Sequence, residues 1–204
     1  MATRRAFLQA MAMLSAAAEA VSLDQQVSVN LPAKQVPAIP LHTVIVDTRF
    51  EASIAFGAES QRLGTSVNVT RGDVTRLWYQ ELQPLWQQSP VAIAGLTAHG
   101  PLFCLERWAW DHGMRVVFRA DHLHKSNGVI EHSLSCAEAQ SLLLGDFNRA
   151  GPAYPIAAAR AAHQCPRGAY QVLSPEGVVC SVQDREPLIS WVIAPIERAY
   201  KVEA

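Results

Sequence analysis

Thr43-Val44-Ile45-Val46-Asp47 opens the stretch that decides the fold: a short β-branched run closed by an aspartate, as in a buried strand. Glu51 to Leu63 follows as a helix and stops at Gly64. Thr65-Ser66-Val67-Asn68-Val69 is a second strand. Gly72-Asp73 then offers an N-cap to a helix whose apolar positions Val74, Leu77, Trp78, Leu82 and Leu85 keep near-helical spacing. Val91-Ala92-Ile93-Ala94 is a third strand. Gly100-Pro101 opens a third helix, with proline in the first turn where no backbone donor is missed, and the helix ends at Gly113. Arg115-Val116-Val117-Phe118-Arg119 is a fourth strand. This βαβαβαβ alternation predicts right-handed crossovers and an α/β, three-layer fold on a mostly parallel sheet.

Beyond Phe118 the rhythm changes, and a C-terminal antiparallel or irregular extension is expected. Ser126-Asn127-Gly128 between extended segments signals a hairpin. A helical or loop stretch covers about 136–163, and Tyr170 to Gln183 reads as two short strands around Ser174-Pro175-Glu176-Gly177. Leu188 to Ile193 is a final strand. On the N-terminal side, residues 21–41 read as a tether punctuated by Pro32, Pro37 and Pro40, so the single α/β domain is expected to span 42–204.

Thr3-Arg4-Arg5-Ala6-Phe7-Leu8-Gln9 precedes a mildly apolar, alanine-rich run to Ala18 that is too short for a stable membrane span. The segment resembles a twin-arginine export signal, whose pattern is Ser/Thr-Arg-Arg-x-Phe-Leu-Lys; Gln9 alone departs from it. Ala18-Glu19-Ala20 supplies a small-x-small cleavage site, with Ala16-Ala17-Ala18 as the second choice, and the first makes residues 1–20 the signal. An ordinary secretory signal or an uncleaved anchor are the alternatives. The resemblance implies a periplasmic protein exported already folded, which either holds a cofactor or travels with a partner that does. It covers the N-terminal segment only and implies nothing about the fold or activity of the rest.

Composition narrows the partners. Half of the residues are hydrophobic and 17% are charged, the balance of a rather apolar globular chain. The formal charge is −1, and loss of Arg4, Arg5 and Glu19 takes it to −2. No basic surplus exists to hold phosphates, so nucleic acid is not an expected partner. No later run approaches a membrane span. Cys104, Cys136, Cys165 and Cys180 form no Cys-x-x-Cys pair, which removes support for a zinc ribbon or thioredoxin-type site. Cys165 and Cys180 flank the expected C-terminal hairpin and are candidates for a bridge. Cys104, in an apolar segment, reads as a buried thiol.

Chemistry-bearing residues gather just after the strands, where open α/β sheets bind ligands. Asp47, Arg49, Asp73, Thr97, His99 and Asp121 form this candidate ligand rim. If its carboxylates stand close without a cation, they repel, and Asp47→Ala or Asp121→Ala is neutral or stabilising for the fold while damaging the activity or assembly the rim supports. Gly95-Leu96-Thr97-Ala98-His99-Gly100 satisfies neither a P-loop, which needs lysine, nor a nucleophile elbow, which needs serine at its third position. A second constellation is His122, His124 and Glu131. With a turn centred on Asn127-Gly128, His124 opposes Glu131 and His122 opposes Ser133, placing two imidazoles and a carboxylate on one face. That is a ligand set for zinc or iron, with His132 pointing the other way. An exposed hairpin with an ordinary His/Glu pair is the simpler alternative.

No Ser/His/Asp triad can be assigned by spacing. Glu106-Arg107, inside the apolar third helix, reads as a structural ion pair or a partner contact. The aromatic residues Trp78, Tyr79, Trp86, Trp108, Trp110 and Trp191 are expected in the core, and any left exposed would mark a subunit interface. Two functions fit. One is a non-catalytic accessory or small structural subunit of an exported complex, with a protein partner or a second copy of itself. The other is a periplasmic small-molecule-binding protein or metal-dependent enzyme using the rim.

Overall fold

Strand and helix alternate from Leu41 to His124 as the residue pattern dictates, and the departures in strand order and register come after that point. A computed structural model describes residues 37–135, 140–167 and 187–196. The expected signal segment, most of the expected tether, the expected hairpin at 170–183, Cys136 and Cys180 lie outside the described residues.

The elements are β1 (Leu41–Asp47), α1 (Glu51–Arg62) and β2 (Ser66–Thr70). A continuous helical stretch, α2, follows: Thr75–Leu77, a π-helical turn at Trp78–Leu82, and Gln83–Gln88. Then come β3 (Ala92–Ala98), α3 (His99–Asp111), β4 (Met114–His124), β5 (Ile130–Leu134) and α4 (Gln140–Ala150). A single 3-10 turn, Gly151–Ala153, leads into α5 (Tyr154–His163), and β6 (Leu188–Pro195) closes the series. Pairing begins earlier than His42, because Ala38 bridges Pro166 and the Ile39 N–H donates to the Cys165 carbonyl.

The six strands lie in the order β2-β1-β3-β6-β4-β5. β1 is parallel to β2 and β3, whereas β6 is antiparallel to both of its neighbours and β5 is antiparallel to β4. The first four strands therefore point the same way, but the sheet is mixed rather than mostly parallel. The last strand is no extension; it separates β3 from β4. Composition explains the position. Leu188 to Ala194 is buried along its whole length, and a strand apolar on both faces has to be covered on both faces, which only an interior slot provides.

Alternation divides the core into two clusters. Val44, Ala94, Leu96 and Val192 join Phe56 of α1, Phe147 of α4 and Tyr154 and Ala158 of α5. Ile45, Ile93, Trp191 and Ile193 join Trp78 and Trp86 of α2 and Leu102, Leu105 and Ala109 of α3. The π-helical turn has a local cause. Pro84 has no N–H for the Gln80 carbonyl, and widening the preceding turn relieves the clash of its ring with that carbonyl. α1 is tied to α5 by the buried Glu59, which accepts from Arg62 and Arg160 at 2.7 and 2.8 Å. These two guanidiniums hold its carboxyl at about 2. Among the described residues, no helix is long and apolar enough to cross a membrane.

Gly95 is the tightest point in the sheet. A Cβ there would stand 2.5 Å from Cζ2 of Trp191 and 2.8 Å from the backbone carbonyl of Ile45. The indole lies where a side chain would be, and the carbonyl belongs to the β1 backbone and cannot swing aside. Gly95→Ala is expected to destabilise the fold by about 1–3 kcal/mol. Gly100→Ala, whose Cβ meets nothing within 4 Å, should be neutral or slightly stabilising. Urea unfolding of both variants checks this, and equal stabilities would show that Trp191 does not depend on the bare backbone.

Candidate functional site

The strand-end rim is assembled around β1 and β3. β1 connects outward to β2 on one side, and the chain returns past it to β3 on the other, so a topological switch point falls at the carboxyl ends of β1 and β3. There the Asp47 N–H donates to Ser53 Oγ at 2.8 Å, and the Ser53 hydroxyl donates to the Leu96 carbonyl. One serine of α1 thus satisfies a backbone group of each diverging strand.

Each rim residue is occupied by the fold. Asp47 is fully buried, and its carboxylate accepts Nε of Arg49 at 3.0 Å and Nη2 at 2.6 Å. The Arg49 guanidinium fills the space beside Gly72, where a Cβ would approach Cζ to 2.5 Å. Asp73 accepts the Thr75 N–H at 2.8 Å, capping α2, and bonds from the Thr75 hydroxyl and N–H hold its carboxyl below the usual carboxylate range. Thr97 is buried; its hydroxyl donates to the Ala98 carbonyl and accepts the indole N–H of Trp191 at 3.1 Å. His99 is exposed and stacks on Phe103.

Asp121 belongs to β4 itself and is paired with Arg119 at 2.8 Å. Register places it beside Ile189, so the insertion of β6 sets it about 14 Å from Asp47, three strand spacings. The expected repulsion between rim carboxylates is corrected accordingly. Asp47 and Asp121 each hold an arginine two residues away on the same chain, and they do not face one another.

The histidine hairpin also differs from expectation, by one residue of register. His122 opposes His132, Leu123 opposes Glu131 and His124 opposes Ile130. The reason is the turn. Gly128 N–H donates to the Lys125 carbonyl, Lys125 N–H donates to the Val129 carbonyl, and Gly128 has φ +81°, which together make a three-residue loop with a left-handed glycine. A two-residue Asn127-Gly128 turn would have given the other register, and a slip of one reverses every facing. His132 therefore stands beside His122, and Glu131 is ion-paired to Lys125 at 2.6 Å. The set His122, His124, Glu131 expected for zinc or iron is not brought together. Among the described residues, no three His, Cys, Asp or Glu side chains are placed to hold a metal ion.

What the register builds instead is a buried chain of hydrogen bonds. His122 Nε2 lies 2.9 Å from Ser190 Oγ, and His122 Nδ1 lies 2.7 Å from His132 Nδ1. Tyr154 packs on the His122 ring at 4.4 Å between centroids and places its hydroxyl 3.4 Å from His124 Nε2, while Phe147 covers the His122 edge. Two facing Nδ1 atoms at that distance share one hydrogen, so one ring donates and the other accepts. If His122 donates, its Nε2 must accept the Ser190 hydroxyl; if it accepts, its Nε2 donates to Ser190. Burial, then the neighbouring His132 and His124, pushes His122 well below the usual imidazole range, and burial likewise lowers His132. Burial raises the Tyr154 phenol and keeps it protonated.

Serine, base and orienting imidazole stand here in the order of a nucleophilic relay. Yet Ser190 and His122 are both fully buried, so no carbonyl substrate reaches the hydroxyl. The chain can pass a proton between tautomers, and it acts as a polar clasp joining β6, β4 and β5. Ser190 escaped the sequence reading, which places His132 on the opposite face. The signal for Ser190 is its standing as the one polar residue in Leu188-Ile189-Ser190-Trp191-Val192-Ile193-Ala194, a buried hydroxyl that needs a partner. Comparison of the chain with protein-family models, with curated proteins and with solved structures finds no match.

A neutral, buried His122 makes stability depend on pH in a defined direction. Its folded value lies below 6.5, so as pH falls through 6.5 the unfolded chain takes up the proton first and stability is lost. The loss is about 1.4 kcal/mol per pH unit for one proton. Urea unfolding between about pH 7 and pH 5 should show the wild type losing at least about 1 kcal/mol more than His122→Gln. Equal slopes for the two proteins would mean that the ring is not held neutral.

Proposed function

We propose that the protein is a non-catalytic accessory subunit of a complex exported by the twin-arginine route, and that it acts in the periplasm. The observation that carries this reading is the exposure of large aromatic rings on α3: Phe103 is 46% and Trp110 41% exposed, while Trp78, Trp86 and Trp191 are buried. An exposed tryptophan on a helix whose opposite side is anchored in the core suits a subunit interface. We also read the helices as two covering layers on a three-layer fold, a reading supported by the two separate core clusters. Such a layering leaves the outer helix faces and the sheet edges to meet a partner. The inward commitment of Ser190, His122, Thr97 and Asp47 speaks against chemistry performed alone.

A small-molecule site on the rim is the second reading. The switch point between β1 and β3 favours it, and the internal bonding of Asp47, Asp73 and Thr97 weighs against it.

The export half of the proposal rests on Arg4 and Arg5, because a receptor that reads a pair of planar guanidiniums does not accept two ammonium groups. Arg4→Lys with Arg5→Lys should leave the precursor in the cytoplasm, as read by fractionation and immunoblot; export unchanged from wild type would sink the twin-arginine assignment. The subunit half is tested by affinity isolation of the full-length gene product from the periplasm. A stable partner is expected, and a chain recovered only as a soluble monomer would remove the reading.

A further inference from the structure

We propose that the outer face of α3, formed by Phe103, Arg107 and Trp110 with Arg115 beside them, docks an acidic segment of a partner protein. This rests on the accessory-subunit reading and gives its partner a chemistry. The partner's carboxylates take the edges of the two guanidiniums, and its apolar side chains lie on the rings.

Spacing builds the face. Leu102, Leu105 and Ala109 recur at helical intervals and are buried against the sheet, which turns Phe103, Arg107 and Trp110 outward along the other side. The Arg107 guanidinium lies over the Phe103 ring at 5.1 Å and over the Trp110 ring at 4.2 Å, and the Arg115 guanidinium lies over Trp110 at 5.5 Å. His99 continues the row by stacking on Phe103 at 5.9 Å. Stacking uses the faces of the guanidiniums and orients them. It leaves Arg107 its N–H edge, the fork that binds carboxylates bidentately.

The combination of ring stacking with an unpaired charge sets this face apart: Arg71, Arg76 and Arg167 also hold no carboxylate among the described residues, but none of them lies over a ring there as Arg107 and Arg115 do. Arg49, Arg62, Arg119, Arg149 and Arg160 each hold a carboxylate of the same chain. Arg107 and Arg115 hold none among the described residues, although Glu106 and Asp111 lie on the same helix; Glu106 acts on Arg119 instead. Arg115 spends one N–H on the Met114 carbonyl. Two stacked arginines without a carboxylate, beside two solvent-facing rings, complement an acidic segment carrying apolar side chains. Rings and arginines also suit single-stranded nucleic acid. A chain of formal charge −1 lacks the basic surplus which that partner would require, so the protein partner is favoured.

The test uses the purified full-length chain with fluorescent poly-glutamate, poly-lysine and oligodeoxythymidylate as probes in anisotropy titrations. Poly-glutamate should bind in a salt-sensitive way, and Arg107→Gln with Arg115→Gln should weaken it by at least about tenfold. Arg107→Lys should fall between the two, since charge is kept while the stacked fork is lost. Poly-lysine and oligodeoxythymidylate should not bind. Absent poly-glutamate binding, affinity unchanged in the double glutamine variant, or oligodeoxythymidylate binding as tight as poly-glutamate would each overturn the inference. Melting curves of the variants should match wild type, because both side chains lie outside the core. Affinity isolation separates this inference from the reading beneath it. A partner retained by both wild type and the double variant refutes only the surface, whereas no partner with wild type refutes the subunit reading.

Discussion

The indole of Trp191 lying across Gly95 is the contact on which the sheet depends. It seats β6 between β3 and β4, with the indole N–H donating to Thr97 Oγ1 and the ring fully buried among Ile45, Ile93 and the residues of α2 and α3. Removing a buried tryptophan side chain typically costs about 3–5 kcal/mol, so this one residue carries a large share of a marginal stability. Its effects extend beyond packing. With β6 in that slot, Ser190 sits one strand from Ala120 and within reach of His122, and Asp121 is carried away from the β1–β3 rim. A direct parallel pairing of β3 with β4 would have dissolved the histidine clasp and closed up the rim.

Local patterns made the first four strands and three helices readable, because β-branched runs and helical spacing are properties of adjacent residues. The place of β6 was not readable in that way. Leu188 to Ile193 announces a strand, but which strands flank it depends on Gly95 having no side chain, a fact about a residue nearly a hundred positions earlier. The hairpin register failed for a smaller reason. Ser126-Asn127-Gly128 is compatible with a two-residue and with a three-residue loop, and only the left-handed glycine with its flanking Lys125–Val129 bond selects the second. The rim residues were found but their condition was not. Arg119 and Asp121 are spaced two apart on the extended β4, which places them on one side of the strand, whereas Arg49 follows β1 in a turn whose Arg49 N–H donates to the Asp47 carboxylate. Their pairing could have been read as an alternative to repulsion.

The buried polar groups serve the strand order rather than solvent. Ser53 bonds the diverging backbones of β1 and β3, Thr97 receives Trp191, and Ser190 holds His122 against β5 through His132. A hydrogen-bonded polar group in a core adds little net stability, but leaving it unmet is costly, so each one penalises a wrong neighbour more than it rewards the right one. Such groups suit a mixed sheet, in which an apolar strand like β6 could otherwise pair in several places.

The same division of labour shapes α3. Its inner side, Leu102, Leu105 and Ala109, is fixed by the sheet, and Trp108 stacks on Trp78 of α2 at 4.8 Å. The outer rings are thereby held on a rigid helix, with their cation–π partners already in position. Rigid aromatic and arginine side chains lose little conformational freedom when a partner arrives, so the binding free energy is not consumed in ordering them. On the same chain Ser190, His122, Thr97 and Asp47 are turned to the interior, so among these groups it is the outer side of α3 that meets solvent with its geometry already set.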